Sequence, residues 1–158
     1  MSFRKTLRDQ GKSECVICGQ VKLLSEFTKF PNGLPLSYCK PCNTLQRRLR
    51  NFGISIEFYQ DLLDYQGGVC AICRGVDSGR TDSRGRSYSM CIDHDHRCCP
   101  QSGRGCVKCV RGIVCNECNT RGLRWYEALP TELRRFDLLN NYLNNPPAKS
   151  LRVERGSR

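Results

Sequence analysis

The chain has 158 residues, a formal charge of +11, and 39% of its residues in a hydrophobic set that includes 13 cysteines. Apolar burial alone leaves one compact domain, or two small lobes, marginal, so the fold calls for staples of sulfur or metal. No apolar run approaches membrane-spanning length, and the basic excess points to polyanionic rather than membrane partners.

The charge is uneven. Residues 1–50 carry ten Lys/Arg against three Asp/Glu, residues 51–130 ten against nine, and residues 131–158 six against three. A balanced middle between basic ends suggests a central site with flanking segments that grip a polyanion.

In chain order, residues 1–14 read as a basic flexible arm, followed over 15–53 by a zinc knuckle and a basic helix. The knuckle is Cys15-x2-Cys18-x20-Cys39-x2-Cys42, with turn signals Pro31-Asn32-Gly33 and Pro35 between its pairs. The helix carries Arg47, Arg48 and Arg50, either as phosphate contacts or as a solvated face. Ser55 is an N-cap for a helix over 56–66, with Ile54 and Tyr59 placed as a hydrophobic staple. Its apolar positions Ile56, Tyr59, Leu62 and Leu63 face a core, and Gly67-Gly68 ends it. Cys70-Ala71-Ile72-Cys73 follows, then a polar loop over 74–87 and a strand from Tyr88 to Ile92 that runs into Asp93-His94-Asp95-His96.

Residues 97–109 form a cysteine-rich loop and 110–114 a second strand. Cys115 to Glu127 reads as helix despite Gly122, with Trp125 and Leu129 available for packing. A last helix spans 130–145, with Leu133, Phe136, Leu139 and Tyr142 at core spacing. Residues 146–158 are read as a disordered basic tail.

Eight of the 13 cysteines form the C-x-x-C pairs 15/18, 39/42, 70/73 and 115/118, and 106/109 is a fifth pair of the same spacing. A two-residue gap points two thiolates at one ion, and two such turns complete a tetrahedron. A disulfide framework fits poorly with an odd total and no apolar signal segment, so a reducing, intracellular compartment is expected. Two zinc sites with four thiolates each lower the net charge to about +7. Cys98, Cys99, Cys106 and Cys109 are candidates for a third, smaller zinc site. The alternatives are free thiols, or a partial site that recruits His96. Cys91 reads as a small buried residue.

Both histidines of the chain lie in the run Asp93-His94-Asp95-His96, between the pairs 70/73 and 115/118. Closing one zinc site across those pairs brings residue 93 and Asn119 into one neighbourhood. Carboxylate and amide oxygens are hard ligands, so Asp93 and Asn119 suit Mg²⁺ or Mn²⁺ rather than zinc. Strict strand alternation sends Asp93 and His94 to opposite faces. Both serve one site only if the strand ends or bulges there.

Four stretches, Gln66–Cys73, Ile92–His96, Val110–Val114 and Cys115–Asn119, occur in an order that resembles the ββα-metal (His-Me, or HNH) finger nucleases. More narrowly, they resemble the phage recombination endonuclease VII family, over roughly residues 54–125. The resemblance implies a small, zinc-stabilised α+β fold with its nuclease core over 54–129, flanked by helices and the N-terminal knuckle. It implies a DNA endonuclease in which His94 is the general base, Asp93 and Asn119 hold one catalytic Mg²⁺, and Cys70, Cys73, Cys115 and Cys118 bind structural zinc. His96 is read as a phosphate contact, with Arg97 and Arg111 beside the α-helical arginines as DNA-binding residues. The implied substrate is double-stranded or branched DNA, in recombination, replication or packaging inside the host cytoplasm alongside other phage proteins.

The family's resolving enzymes carry an extended helical C-terminal part that builds an intertwined dimer. Here 39 residues follow Asn119 and an N-terminal knuckle is present, so nicking or double-strand cutting stands beside junction resolution, and a homodimer beside other assemblies. The competing reading is a non-catalytic zinc-dependent DNA-binding regulator, which explains the charge and the cysteines but not Asp93, His94 and Asn119 within one zinc frame.

Overall fold

The computed structural model describes residues 3–79, 81, 83, 85, 90–101 and 103–156. It is a small α+β protein of short strand pairs and helices, in two units, Met1–Arg48 and Leu49–Arg158. No helix among the described residues is long and apolar enough to cross a membrane.

In the first unit, α1 (Phe3–Asp9) leads into β1 (Lys12–Glu14), which pairs antiparallel with β2 (Val21–Leu23); Cys15 and Cys18 lie in the turn between them. β3 (Phe27–Lys29) pairs antiparallel with β4 (Pro35–Cys39) across a turn in which Gly33 takes φ 81°. α2 (Lys40–Arg50) follows directly and carries Cys42. The unit's core is Cys15, Phe27, Cys39 and Cys42, with Ile17 and Tyr38 packed against it. Burying one Phe is worth about 1.5–3 kcal/mol, too little by itself to order such a unit. The stretch read as a flexible arm is thus helix and strand, and Leu7 is buried.

The second unit opens on α3 (Ile56–Tyr65), where Ser55 Oγ accepts the Phe58 N–H at 3.1 Å. Phe58, Tyr59 and Leu62 are its buried residues, while Ile56 and Leu63 are half-buried. Gly67 and Gly68, both with positive φ, turn the chain toward Cys70. The Gln66 side chain joins this helix end to the sheet: its amide accepts the Ile113 N–H at 2.9 Å and donates to the Ile113 carbonyl at 2.8 Å.

β5 (Cys91–His94) pairs antiparallel with β6 (Val110–Val114), and every residue of β6 is buried. The expected first strand begins at Tyr88 and Ser89, which lie outside the described residues. After β6 the chain enters a π-helical stretch, Cys118–Leu123, and then α4 (Arg124–Ala128). A π turn takes in an extra residue and rotates the following face by about 100°. Leu123 and Tyr126 therefore fill the core, and Trp125, expected to pack there, is 53% exposed.

The single helix expected over 130–145 is broken. A 3₁₀ turn at Thr131–Leu133 gives way to α5 (Asp137–Asn144). Polar contacts hold the break, among them the Phe136 N–H donating to Tyr126 Oη at 2.9 Å, Asn140 Nδ2 to the Arg134 carbonyl at 2.9 Å, and Arg134 Nη2 to the Glu127 carbonyl at 2.8 Å. Leu133 and Phe136 are consequently exposed, and Tyr142 is the buried residue of α5.

Residues 146–158, expected to be a disordered tail, contain α6 (Pro147–Gly156). Pro147 takes the first helical position, where its missing N–H costs nothing. Ala148 and Leu151 are buried as α6 packs on β6 and α3. Arg155 pairs with Asp61 and lies 5.6 Å from the Phe58 ring centroid.

Candidate active site

The β5–β6 ladder places the site. Its register shifts between Asp93 and His94: Asp93 lies opposite Gly112 and His94 opposite Val110, so Arg111 is the extra residue of a bulge. The bulge is on β6, and β5 itself ends at His94, directly after Asp93.

Asp93 is buried, with only 3% of its surface exposed. Arg111 Nε donates to its Oδ2 at 2.7 Å and Nη2 to its Oδ1 at 3.0 Å, and Tyr142 Oη donates to Oδ2 at 2.6 Å. The same guanidinium reaches Glu127, Nη1 to Oε1 at 2.6 Å and Nη2 to Oε2 at 2.9 Å. Arg111, expected on DNA, is instead a buried strut between two carboxylates, with four of its five N–H donors engaged. Burial and the neighbouring Asp93 charge hold the Tyr142 phenol well above its ordinary pKa, so it remains a donor.

Space around this cluster is tight. A Cβ on Gly112 would lie 3.0 Å from Tyr142 Oη, 3.1 Å from its ring and 3.3 Å from Gln66 Oε1. Gly112→Ala is therefore expected to push Tyr142 off Asp93 and to cost about 1–3 kcal/mol by overpacking. A thermal melt checks this. A melting temperature equal to wild type would show that the packing is looser than these distances imply.

His94 is 4% exposed, and its Nε2 is buried without a hydrogen-bond partner. Phe52 meets the imidazole edge-on at 5.2 Å between centroids, and the exposed His96 ring stands at 4.3 Å. Burial, and then the proximity of His96, pull the His94 pKa below the ordinary histidine value; Asp93 and the Cys99 backbone oppose them. Asp95 closes the turn after the strand, its Oδ1 accepting the Arg97 N–H at 2.9 Å.

Asp93, Asp95, His96, Arg97 and Asn119 share a cleft of about 1080 Å³. Asn119 reaches it from the π-helical stretch, half-buried. Arg97 is exposed and paired with Asp95, and Arg124, also exposed, lines the same cleft. On α2, Arg47 and Arg50 are exposed and Arg48 is half-buried.

Three groups of four cysteines each bring their sulfurs within 4.8 Å of one another: 15/18/39/42, 70/73/115/118 and 98/99/106/109. A Zn–S length of about 2.3 Å sets tetrahedral edges of about 3.8 Å. The Cys73–Cys115 and Cys98–Cys106 sulfur separations are both 3.8 Å. In the first group burial opposes ionisation of Cys15, yet backbone N–H groups including that of Cys39 outweigh it and bring the thiol to about 6. Such a group attracts a thiophilic cation.

Sequence reading missed Glu127, Arg124 and the catalytic-side role of Tyr142. Tyr142 carried a core signal only, and nothing local marks Glu127 as a partner of a strand arginine.

A two-stranded sheet whose first strand ends in Asp93-His94, and an asparagine on the following helical segment, make this a ββα finger. The family model for recombination endonuclease VII matches residues 45–145, and the chain belongs to that family. The Gene 59 proteins of Mycobacterium phages L5 and D29 are 30% and 31% identical to it over 109 residues, which is 69% of this chain and 55% and 54% of theirs. The chain thus spans about half the length of the curated relatives it matches. The crystal structure of the ββα-Me type II restriction endonuclease Hpy99I aligns over 85% of this chain and 65% of that one, at 24% identity and a TM-score of 0.24. That likeness is too slight to argue from.

Proposed function

We propose that the Leu49–Arg158 unit is a metal-dependent DNA endonuclease that hydrolyses phosphodiester bonds in double-stranded or branched DNA. The observation that carries this reading is His94 Nε2, buried and unpartnered at the end of β5, next to Asp93. A buried polar atom without a partner is costly. A neutral imidazole held ready to take a proton from water gives that cost a use.

His94 is then the general base, and His96, exposed at the cleft, contacts the scissile phosphate. Asp93 and Asn119 would hold Mg²⁺ or Mn²⁺. The donor set fits: Asp93 Oδ2 accepts two hydrogen bonds and Oδ1 one, so Oδ1 keeps a lone pair. Two carboxylates against one guanidinium also leave an excess negative charge near the cleft. When bound, the ion offsets charge growing on the phosphorane and on the leaving 3′ oxygen. The products are a 5′-phosphate and a 3′-hydroxyl.

Zinc on the 15/18/39/42 and 70/73/115/118 groups is structural. Arg47, Arg48 and Arg50 on α2, with Arg97 and Arg124 at the cleft, contact DNA phosphates. Mycobacteriophage relatives support a phage enzyme of recombination, replication or packaging, acting in the host cytoplasm with other phage proteins.

The test is incubation of purified protein with supercoiled plasmid and a panel of linear, nicked, Y-shaped and four-way DNA. Buffers contain Mg²⁺, Mn²⁺ or no added divalent ion. Cleavage that depends on the added ion is expected. DNA bound but left whole under every ion would overturn the nuclease reading in favour of a zinc-dependent DNA-binding regulator.

A further inference from the structure

The third cysteine group is tied to the catalytic strand. The Asp95 N–H donates to the Cys109 carbonyl at 2.9 Å, and the Cys98 and Cys99 N–H groups both donate to the Asp95 carbonyl at 3.1 Å. Cys98 and Cys99, although adjacent, both reach the cluster: Cys98 Sγ lies 3.8 Å from Cys106 Sγ and 3.9 Å from Cys99 Sγ. These separations match a tetrathiolate edge of about 3.8 Å and far exceed a disulfide bond of about 2.05 Å.

Gly105 shows how tightly the cluster meets His94. A Cβ there would lie 3.0 Å from Cys109 Sγ, 3.4 Å from His94 Cδ2 and 2.8 Å from Phe52 Cδ1. The Gly105 N–H is itself held by the Asn51 carbonyl at 2.9 Å. The sulfur, the imidazole and the phenyl ring therefore converge on one glycine, and a shift of the loop is felt by the histidine.

From the other side, Arg152 of α6 donates to the Val107 carbonyl at 2.8 Å and the Val110 carbonyl at 3.2 Å. These two carbonyls bracket Cys109. A zinc with four thiolates carries two negative charges, and the Arg152 guanidinium is the neighbouring cation.

We propose that Cys98, Cys99, Cys106 and Cys109 bind a third Zn²⁺ that fixes the orientation of His94, which makes this loop a positioning element for the general base. Zinc displaces the thiol protons to solvent and closes residues 98–109 into a rigid ring behind the imidazole. The positioning role rests on His94 being the base of the proposed nuclease.

Elemental analysis and Co²⁺ substitution of the full chain read the metal directly. Three tetrathiolate sites are expected in the wild type and two in Cys98→Ser/Cys106→Ser. The ring resonances of His94 are expected to broaden or shift in that variant, and kcat to fall about 10–100-fold with DNA affinity unchanged. Cys98→His, which restores a zinc ligand, is expected to recover both.

A wild-type count of two would overturn the proposal. So would loss of the third metal with His94 resonances and kcat both unchanged. If the wild type cuts no DNA, the nuclease reading fails separately, and the metal count with the His94 resonances still decides this one. Should the double variant fail to fold, Cys98→Ser alone, at an exposed position, takes its place.

Discussion

His94→Ala is expected to slow cleavage about 10²–10⁴-fold, the usual contribution of a positioned general base, while zinc content and DNA affinity stay at wild-type values. Nε2 makes no hydrogen bond that the substitution would break, but the imidazole is buried against Phe52, so the fold is checked beside the rate. What is lost is the proton acceptor beside Asp93. Burial and His96 depress the histidine pKa, so the imidazole stays neutral to lower pH than an ordinary histidine does. The acid limb of activity is accordingly expected to lie below the ordinary histidine value of 6.5, as the imidazole takes up a proton. Single-turnover cleavage across a pH series, with circular dichroism as a fold control, checks both points. An alanine variant that cuts at the wild-type rate would remove His94 from the base role.

The second large effect concerns the frame. Cys70→Ser/Cys115→Ser is expected to abolish one zinc and to unfold the Leu49–Arg158 unit. Both cysteines are buried, and each stands next to an element of the site: Cys70 at the end of the α3 turn and Cys115 directly after β6. Structural zinc contributes about 10–16 kcal/mol in zinc-finger peptides, whereas whole domains retain only about 5–15 kcal/mol of net stability. Loss of the ion therefore exceeds what the apolar core can replace. Far-ultraviolet circular dichroism and zinc release, measured together on the variant and on chelated wild type, test this. A chelated protein that keeps its melting transition would show that sulfur packing alone holds the unit.

Much of this site was legible in the sequence because it is local. Ser55, Gly67-Gly68 and the C-x-x-C pairs each act over a few residues, and two-fold strand alternation alone called for the strand to end or bulge at Asp93-His94. The misreadings share one cause: the deciding contact came from far along the chain. Arg111 looks like a surface cation until Glu127, from α4, is brought to it, and Tyr142, from α5, to its partner Asp93. Trp125 and Leu133 kept helical spacing on paper, but a π turn and a tyrosine-held break changed the phase of everything after Asn119. Residues 146–158 lack an apolar run of their own, so only the groove between β6 and α3 reveals that Ala148 and Leu151 are core.

The amide of Gln66 has a bearing on how this protein behaves at high concentration. A two-stranded sheet has bare outer edges, and an apolar strand such as β6 is the kind of template on which chains add to one another. At Ile113 both outward backbone groups are already taken, the N–H by Gln66 Oε1 and the carbonyl by Gln66 Nε2 and the Ala71 N–H. One side chain thus stands in for a third strand and denies the edge to a neighbouring molecule. Gln66 marks where self-association begins if that guard is removed.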